Sequence, residues 1–148
     1  MRVYFDPSVL VSLYVAETAS DSVREFLVEQ EVALWLNSLQ EIELKNGIRQ
    51  KVMRKEIEEA TAIRSFRLLE DDFVTGIIEA KQVVWPRVYL RAEEISRRHS
   101  FRQVCRSFDL LHVAIAALSD IQGFATFDVG QANLARSIGL KLVEFPGR

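Results

Sequence analysis

Soft ligands and cross-links are scarce in this chain of 148 residues. Its one cysteine, Cys105, has no partner for an internal disulfide, so the fold must come from buried apolar surface. Two histidines, His99 and His112, together with that thiol are too few for a structural zinc site. No stretch approaches the roughly 18 uninterrupted apolar residues that a membrane helix needs. An excess of either charge is also missing. The 19 Lys and Arg against 21 Asp and Glu leave a formal net charge of −2, which argues against a protein that coats nucleic acid through bulk charge. The opening MRVYFDPSVLVSLYV has an early Arg2 and an apolar run, but Asp6-Pro7 breaks the run and no small-residue cleavage site follows, so no targeting segment is expected. A soluble protein of the reducing cytoplasm is the expectation, and 49% hydrophobic content supports a core for one domain over residues 1–148.

Strand and helix signals alternate along the chain. Arg2 to Phe5 is short, β-branched and aromatic, and it stops at Asp6-Pro7-Ser8, where Asp caps a helix and Pro fits its first turn. Helices are expected over Pro7 to Val15 and about Ser20 to Gln30, then a strand over Val32 to Leu36. Asn37-Ser38 offers caps for a long helix carrying Leu39, Ile42, Glu43 and Ile48. Lys55 to Ala80 reads as a helical pair broken near Asp71-Asp72 or Gly76. Another helix runs past Pro86 to Arg98-His99-Ser100. Phe108 to Leu118 is apolar almost all round and should be a buried central helix. Gly123 to Phe127 reads as a strand, Asp128 opens a helix that Gly139 stops, and Lys141 to Phe145 reads as a last strand. Such alternation implies βαβ crossovers, a mainly parallel sheet and a three-layer α/β/α domain, whose working crevice lies beyond the carboxyl ends of the strands.

Acids recur at those ends. Asp6 follows the first strand, Asp128 follows the strand ending at Phe127, and Asp109 starts the buried helix. Each alone is a plausible helix cap, worth about 1 kcal/mol. Together the strand-end acids should converge, and Glu43 can join them from its helix. Two carboxylates about 6 Å apart repel by roughly 3 kcal/mol at an effective dielectric near 20, so such a group either takes up protons or holds a cation. Oxygen-only ligands suit a hard ion such as Mg²⁺ or Mn²⁺, and a hard ion beside a phosphodiester is nuclease chemistry.

These residues carry a family resemblance over nearly the whole chain. YFDPSVLVSLYV, NSLQEIELKNGI, CRSFDLLHVAIAAL and FATFDVGQANLARSIGLKLV resemble, in order, the four acid-bearing segments of the PIN-domain family, and within it the VapC-type toxins. By that register Asp6, Glu43, Asp109 and Asp128 are the four acids, Ser8 is the hydroxyl that often accompanies the first, and Glu41 is solvated. Pro7 departs from the Thr that relatives often have there. The resemblance implies a pocket of four acids, Mg²⁺ or Mn²⁺, endonucleolytic cleavage of RNA, and frequent homodimers inhibited by an antitoxin protein.

The remaining candidates have bland readings beside functional ones. His112 shares a helix face with Asp109, as a proton shuttle or, more simply, a histidine hydrogen-bonded within the fold. Ser8, Ser107, Thr126 and Asn37 can hold waters or cap helices. Arg97, Arg98, Arg102 and Arg106 can meet RNA phosphates or line a solvated face. The basic stretch from Lys45 to Lys55 carries the same ambiguity. Trp35 is expected in the core, and Trp85 is open. Phe66, Leu68, Leu69 and Phe73 serve either the core or a dimer or antitoxin surface. Two other functions compete with the ribonuclease: a non-catalytic PIN-fold binding module, and a phosphohydrolase acting on a small phosphoester. A phospho-aspartate enzyme of the latter kind usually places a second Asp two residues after the first, where this chain has Ser8.

Overall fold

The computed structural model describes residues 1–145; the single-domain expectation runs on to Arg148, and residues 146–148 lie outside the described residues. In chain order come β1 (Val3–Phe5), α1 (Pro7–Tyr14), α2 (Ser20–Glu29), β2 (Leu34–Leu36), α3 (Ser38–Met53), α4 (Glu59–Val74), β3 (Ile78–Ala80), α5 (Trp85–His99), α6 (Ser107–Leu118), β4 (Gly123–Ala125) and α7 (Val129–Ser137). No helix among the described residues is long and apolar enough to cross a membrane.

All strand pairing is parallel. β1 pairs with β4 in the register Val3 to Gly123 and Phe5 to Ala125, and β2 pairs with β3 from Leu34 with Ile78 to Leu36 with Ala80. The two ladders share no strand. What makes them one central layer is the alternation of their side chains. Val3, Phe5, Leu36, Ile78 and Ala125 pack into one core cluster with α1 to α4, while Tyr4, Trp35 and Phe124 pack into a second with α5 to α7. A pleated strand sends successive residues to opposite faces, so helices cover both sides of the strands and the fold is the expected three-layer α/β/α sandwich.

A side chain spans the gap between the ladders. Gln40, fully buried, donates from Nε2 to the Phe5 carbonyl oxygen at 2.7 Å, and its Oε1 accepts from the Asn37 backbone N–H at 3.0 Å and from Asn37 Nδ2 at 2.7 Å. Asn37 in turn caps α3 by accepting from the Leu39 and Gln40 amides. A capping box thus does two jobs. It starts α3 and ties the start of that helix to the carboxyl end of β1.

Three expectations need correction. Lys55 to Ala80 is not a helical pair: α4 continues unbroken through Asp71-Asp72, Gly76 turns the chain at φ 78°, and Ile78–Ala80 is a strand. Ile-Glu-Ala is a weak strand sequence, and pairing with β2 while burying Ile78 overrides it. β4 ends at Ala125 rather than Phe127. The last strand, Lys141 to Phe145, reduces to one parallel bridge of Leu142 with Phe124. Gly139, at φ 86°, does follow the end of α7 as expected.

Replacing Gln40 with Ala strands the Phe5 carbonyl and the Asn37 amide in the interior. The expected cost is roughly 2–3 kcal/mol, read from the urea midpoint with an unchanged slope. A loss below about 0.5 kcal/mol would mean that this link holds nothing.

Candidate active site

The carboxyl ends of β1 and β4 lie side by side, because their backbone pairing continues past the strands: the Asp6 N–H donates to the Ala125 carbonyl at 2.8 Å. At that edge an open cleft of about 740 Å³ is lined by Asp6, Ser8, Glu43, Arg106, Asp109, Asp128 and Gln131, with Arg54 and Ser107 at its walls. All four acids singled out in the sequence therefore border the same space.

Helix caps hold two of them, and other side chains engage the rest. Asp6, 6% exposed, caps α1. Its Oδ2 accepts from the Ser8 N–H at 3.0 Å, from the Ser8 hydroxyl, and from Thr126 Oγ1 at 3.3 Å. Ser8 also accepts from the Phe127 N–H at 3.0 Å, and Thr126 from the Asp128 N–H at 3.0 Å, so the two hydroxyls stitch β1 to the turn after β4. Asp128 caps α7 through Oδ1, which accepts from the Gln131 N–H at 2.8 Å. Glu43 reaches the cleft from α3, where its Oε2 lies 2.6 Å from His112 Nε2. Glu41 pairs instead with Lys45 at 2.6 Å, one helical turn on, and does not line the cleft.

Arg106 binds the last two acids together. Its Nε donates to Asp109 Oδ2 at 2.8 Å, while Nη2 donates to Asp109 Oδ1 at 3.3 Å and to Asp128 Oδ2 at 2.6 Å. The hydrogen bonds and charge of Asp109, and then the charge of Asp128, hold this guanidinium well above its ordinary pKa. One guanidinium nitrogen thus touches both carboxylates. The other arginines of the cluster take the bland reading in part: Arg97 and Arg98 pair with Glu93 and Glu94 on α5. Much of the Lys45 to Lys55 stretch is likewise spent on Glu41, Glu17 and Glu56. Asn37 is a cap, Trp35 is core, and Trp85 is half-buried beside Tyr89. Phe66, Leu69 and Phe73 join the core, which leaves Leu68 exposed.

Among the described residues no three acidic, histidine or cysteine side chains close around one point as a formed metal site does. Two observations nevertheless fit a hard cation. The Arg106 guanidinium is a stand-in positive charge between Asp109 and Asp128. Gln131 Oε1, on a cleft-lining residue only 2% exposed, is the one buried side-chain polar atom without a hydrogen-bond partner among the described residues. Asp6 Oδ1 and Glu43 Oε1 also take no hydrogen bond from the described residues. The cleft thus offers oxygen donors only.

Comparison with known proteins decides the family. The model of the PIN domain matches residues 3–137. The chain belongs to the PIN-domain family. PIN domains are nucleases. Two solved structures share the fold: FitAcB from Neisseria gonorrhoeae, 16% identical, covers 97% of each chain with a TM-score of 0.64. VapC20 from Mycobacterium tuberculosis, a sarcin–ricin-loop-cleaving toxin, is 14% identical over 96% of this chain and 98% of its own, with a TM-score of 0.66. No curated protein matches the chain in sequence.

Sequence reasoning grouped Arg106 with three other arginines and missed Gln131 and Tyr4. Arg106 sits three residues before Asp109, a capping spacing, which was the available signal. Since Asp128 is cap and candidate ligand at once, Asp128→Ala should cost about 1 kcal/mol of stability and Asp128→Asn only a few tenths, because Asn caps nearly as well. Urea unfolding of both variants checks this, and equal losses would refute the capping role.

Proposed function

We propose that this PIN domain, one domain over residues 1–148, is a Mg²⁺- or Mn²⁺-dependent endoribonuclease and the toxin component of a toxin–antitoxin pair. The observation that carries the reading is the single cleft bordered by Asp6, Glu43, Asp109 and Asp128 at the carboxyl edge of parallel strands. The toxin role draws on the VapC-type motifs and on the likeness in fold to a VapC toxin. RNA is the substrate, and an antitoxin protein and a second copy of the chain are the expected partners. The cytoplasm is the expected compartment.

In this reading Asp109 and Asp128 hold the ion, with Asp6 and Glu43 completing the carboxylate set through their unengaged oxygens. A divalent ion bound there supplies Lewis acidity, lowering the pKa of water and offsetting charge on the phosphodiester. Gln131 Oε1, without a partner among the described residues, offers an acceptor at the cleft wall. Ser8 and Thr126 keep Asp6 Oδ2 turned inward. Arg106, 66% exposed along its side chain, is free to leave the acids and meet the RNA phosphate.

A second reading has its own observation. Arg106 already neutralises Asp109 and Asp128, so a non-catalytic PIN-fold binding module has a way to keep its acids without metal. Calorimetric titration of Mn²⁺ separates the two. The ribonuclease reading expects saturable binding that Asp109→Asn abolishes, and cleavage of RNA reduced at least about a hundredfold in the same variant. Wild-type protein that takes up no Mn²⁺ at millimolar concentration favours the module.

Arg106→Ala gives a further check. Two exposed ion pairs together worth roughly 1 kcal/mol no longer oppose the ion, so Mn²⁺ affinity should rise about fivefold. Weaker binding in this variant would place Arg106 outside the ion's position.

A further inference from the structure

His112 lies 1% exposed in α6, beside buried Val113, Ala114, Ile115 and Ala116. An imidazole in such surroundings is costly unless both nitrogens are bonded. Both are. Nδ1 lies 2.6 Å from the Tyr4 hydroxyl and Nε2 lies 2.6 Å from Glu43 Oε2. With a carboxyl group at Nε2 and a hydroxyl at Nδ1, the neutral tautomer that serves both carries its proton on Nε2, which donates to Glu43 while Nδ1 accepts from the Tyr4 O–H. Tyr4 is suited to donate. It is wholly buried, with its hydroxyl against the ring nitrogen. The ring is also immobilised, stacked on Phe124 at 5.5 Å and edge-on to Trp35 at 5.5 Å.

The result is a directional chain across three elements: Tyr4 of β1 donates to His112 of α6, which donates to Glu43 of α3. At its far end only Glu43 Oε2 is engaged among the described residues. We propose that His112, oriented by Tyr4, is a positioning residue for Glu43: it commits Oε2 to the interior and presents Oε1 alone to the cleft. The proposal rests on the reading of that cleft as a metal site, and His112 touches neither ion nor RNA. Glu43 extends from a helix by a flexible side chain, unlike Asp6 and Asp128, which are fixed by their own caps, so it needs an external guide. Outer partners of this kind typically govern metal affinity by 10- to 100-fold.

The test uses the full chain and two readouts. In metal-free protein, ¹⁵N-histidine NMR should find the His112 proton on Nε2, with that resonance displaced in Glu43→Gln. In Mn²⁺ titration, His112→Ala should bind about tenfold more weakly, and His112→Gln, whose amide restores a donor, should recover most of the loss. Tyr4→Phe removes one hydroxyl without emptying the core and should weaken binding in the same direction, which keeps the proposal testable if His112→Ala folds poorly. Undiminished Mn²⁺ binding in Tyr4→Phe and in the His112 variants, with loss in Glu43→Gln, would overturn the positioning role while the cleft reading stands. Wild-type protein that binds no Mn²⁺ would overturn the cleft reading and the positioning role with it.

Discussion

Carboxylates gathered at one edge of a parallel sheet repel one another, and the local architecture answers that repulsion piece by piece. A pair about 6 Å apart costs roughly 3 kcal/mol at an effective dielectric near 20. Helix N-termini offset part of it, since Asp6 and Asp128 cap α1 and α7 and Asp109 sits in the first turn of α6, each worth about 1 kcal/mol. Arg106 supplies one exposed positive charge between Asp109 and Asp128, and pairs of this kind contribute up to about 1 kcal/mol each. Each of these terms offsets part of the repulsion without any metal. In the proposed reading a divalent cation would offset the remainder.

Anchoring by one oxygen is the second theme. Asp6 gives Oδ2 to Ser8 and Thr126, and Glu43 gives Oε2 to His112, while the other oxygen of each carboxyl takes no hydrogen bond from the described residues. Such an arrangement fixes the direction of a ligand without consuming it. The anchors come from elements distant in sequence, so site geometry and fold stability are linked. Gln40 makes the same kind of link for the backbone, tying the start of α3 to the end of β1.

Local chemistry made much of this legible beforehand. Asp-Pro-Ser after a short apolar strand, Asn-Ser before the Glu43 helix, and Asp128 before a helix stopped by Gly139 are punctuation that acts within a few residues. The positions of Asp6, Asp109 and Asp128, the parallel strands and the buried helix α6 followed from it, while the choice of Glu43 over Glu41 came from the family resemblance. What escaped was long-range. Ile78–Ala80 has no strand pattern of its own and is a strand because β2 lies beside it. The contact of His112 with Glu43 joins residues 69 apart, and that with Tyr4 joins residues 108 apart. No periodicity encodes either. Arg106 was visible as a basic residue, but its place between two acids depends on how α6 and α7 meet.

The most direct measurement is anomalous diffraction from crystals of the protein soaked in Mn²⁺. The account predicts a manganese peak in the cleft within coordination distance of Asp109 and Asp128, with the Arg106 guanidinium displaced from its place between them. An undisturbed Arg106 bridge and no peak at millimolar Mn²⁺ would contradict it, leaving the acids as caps and ion-pair partners of a binding module.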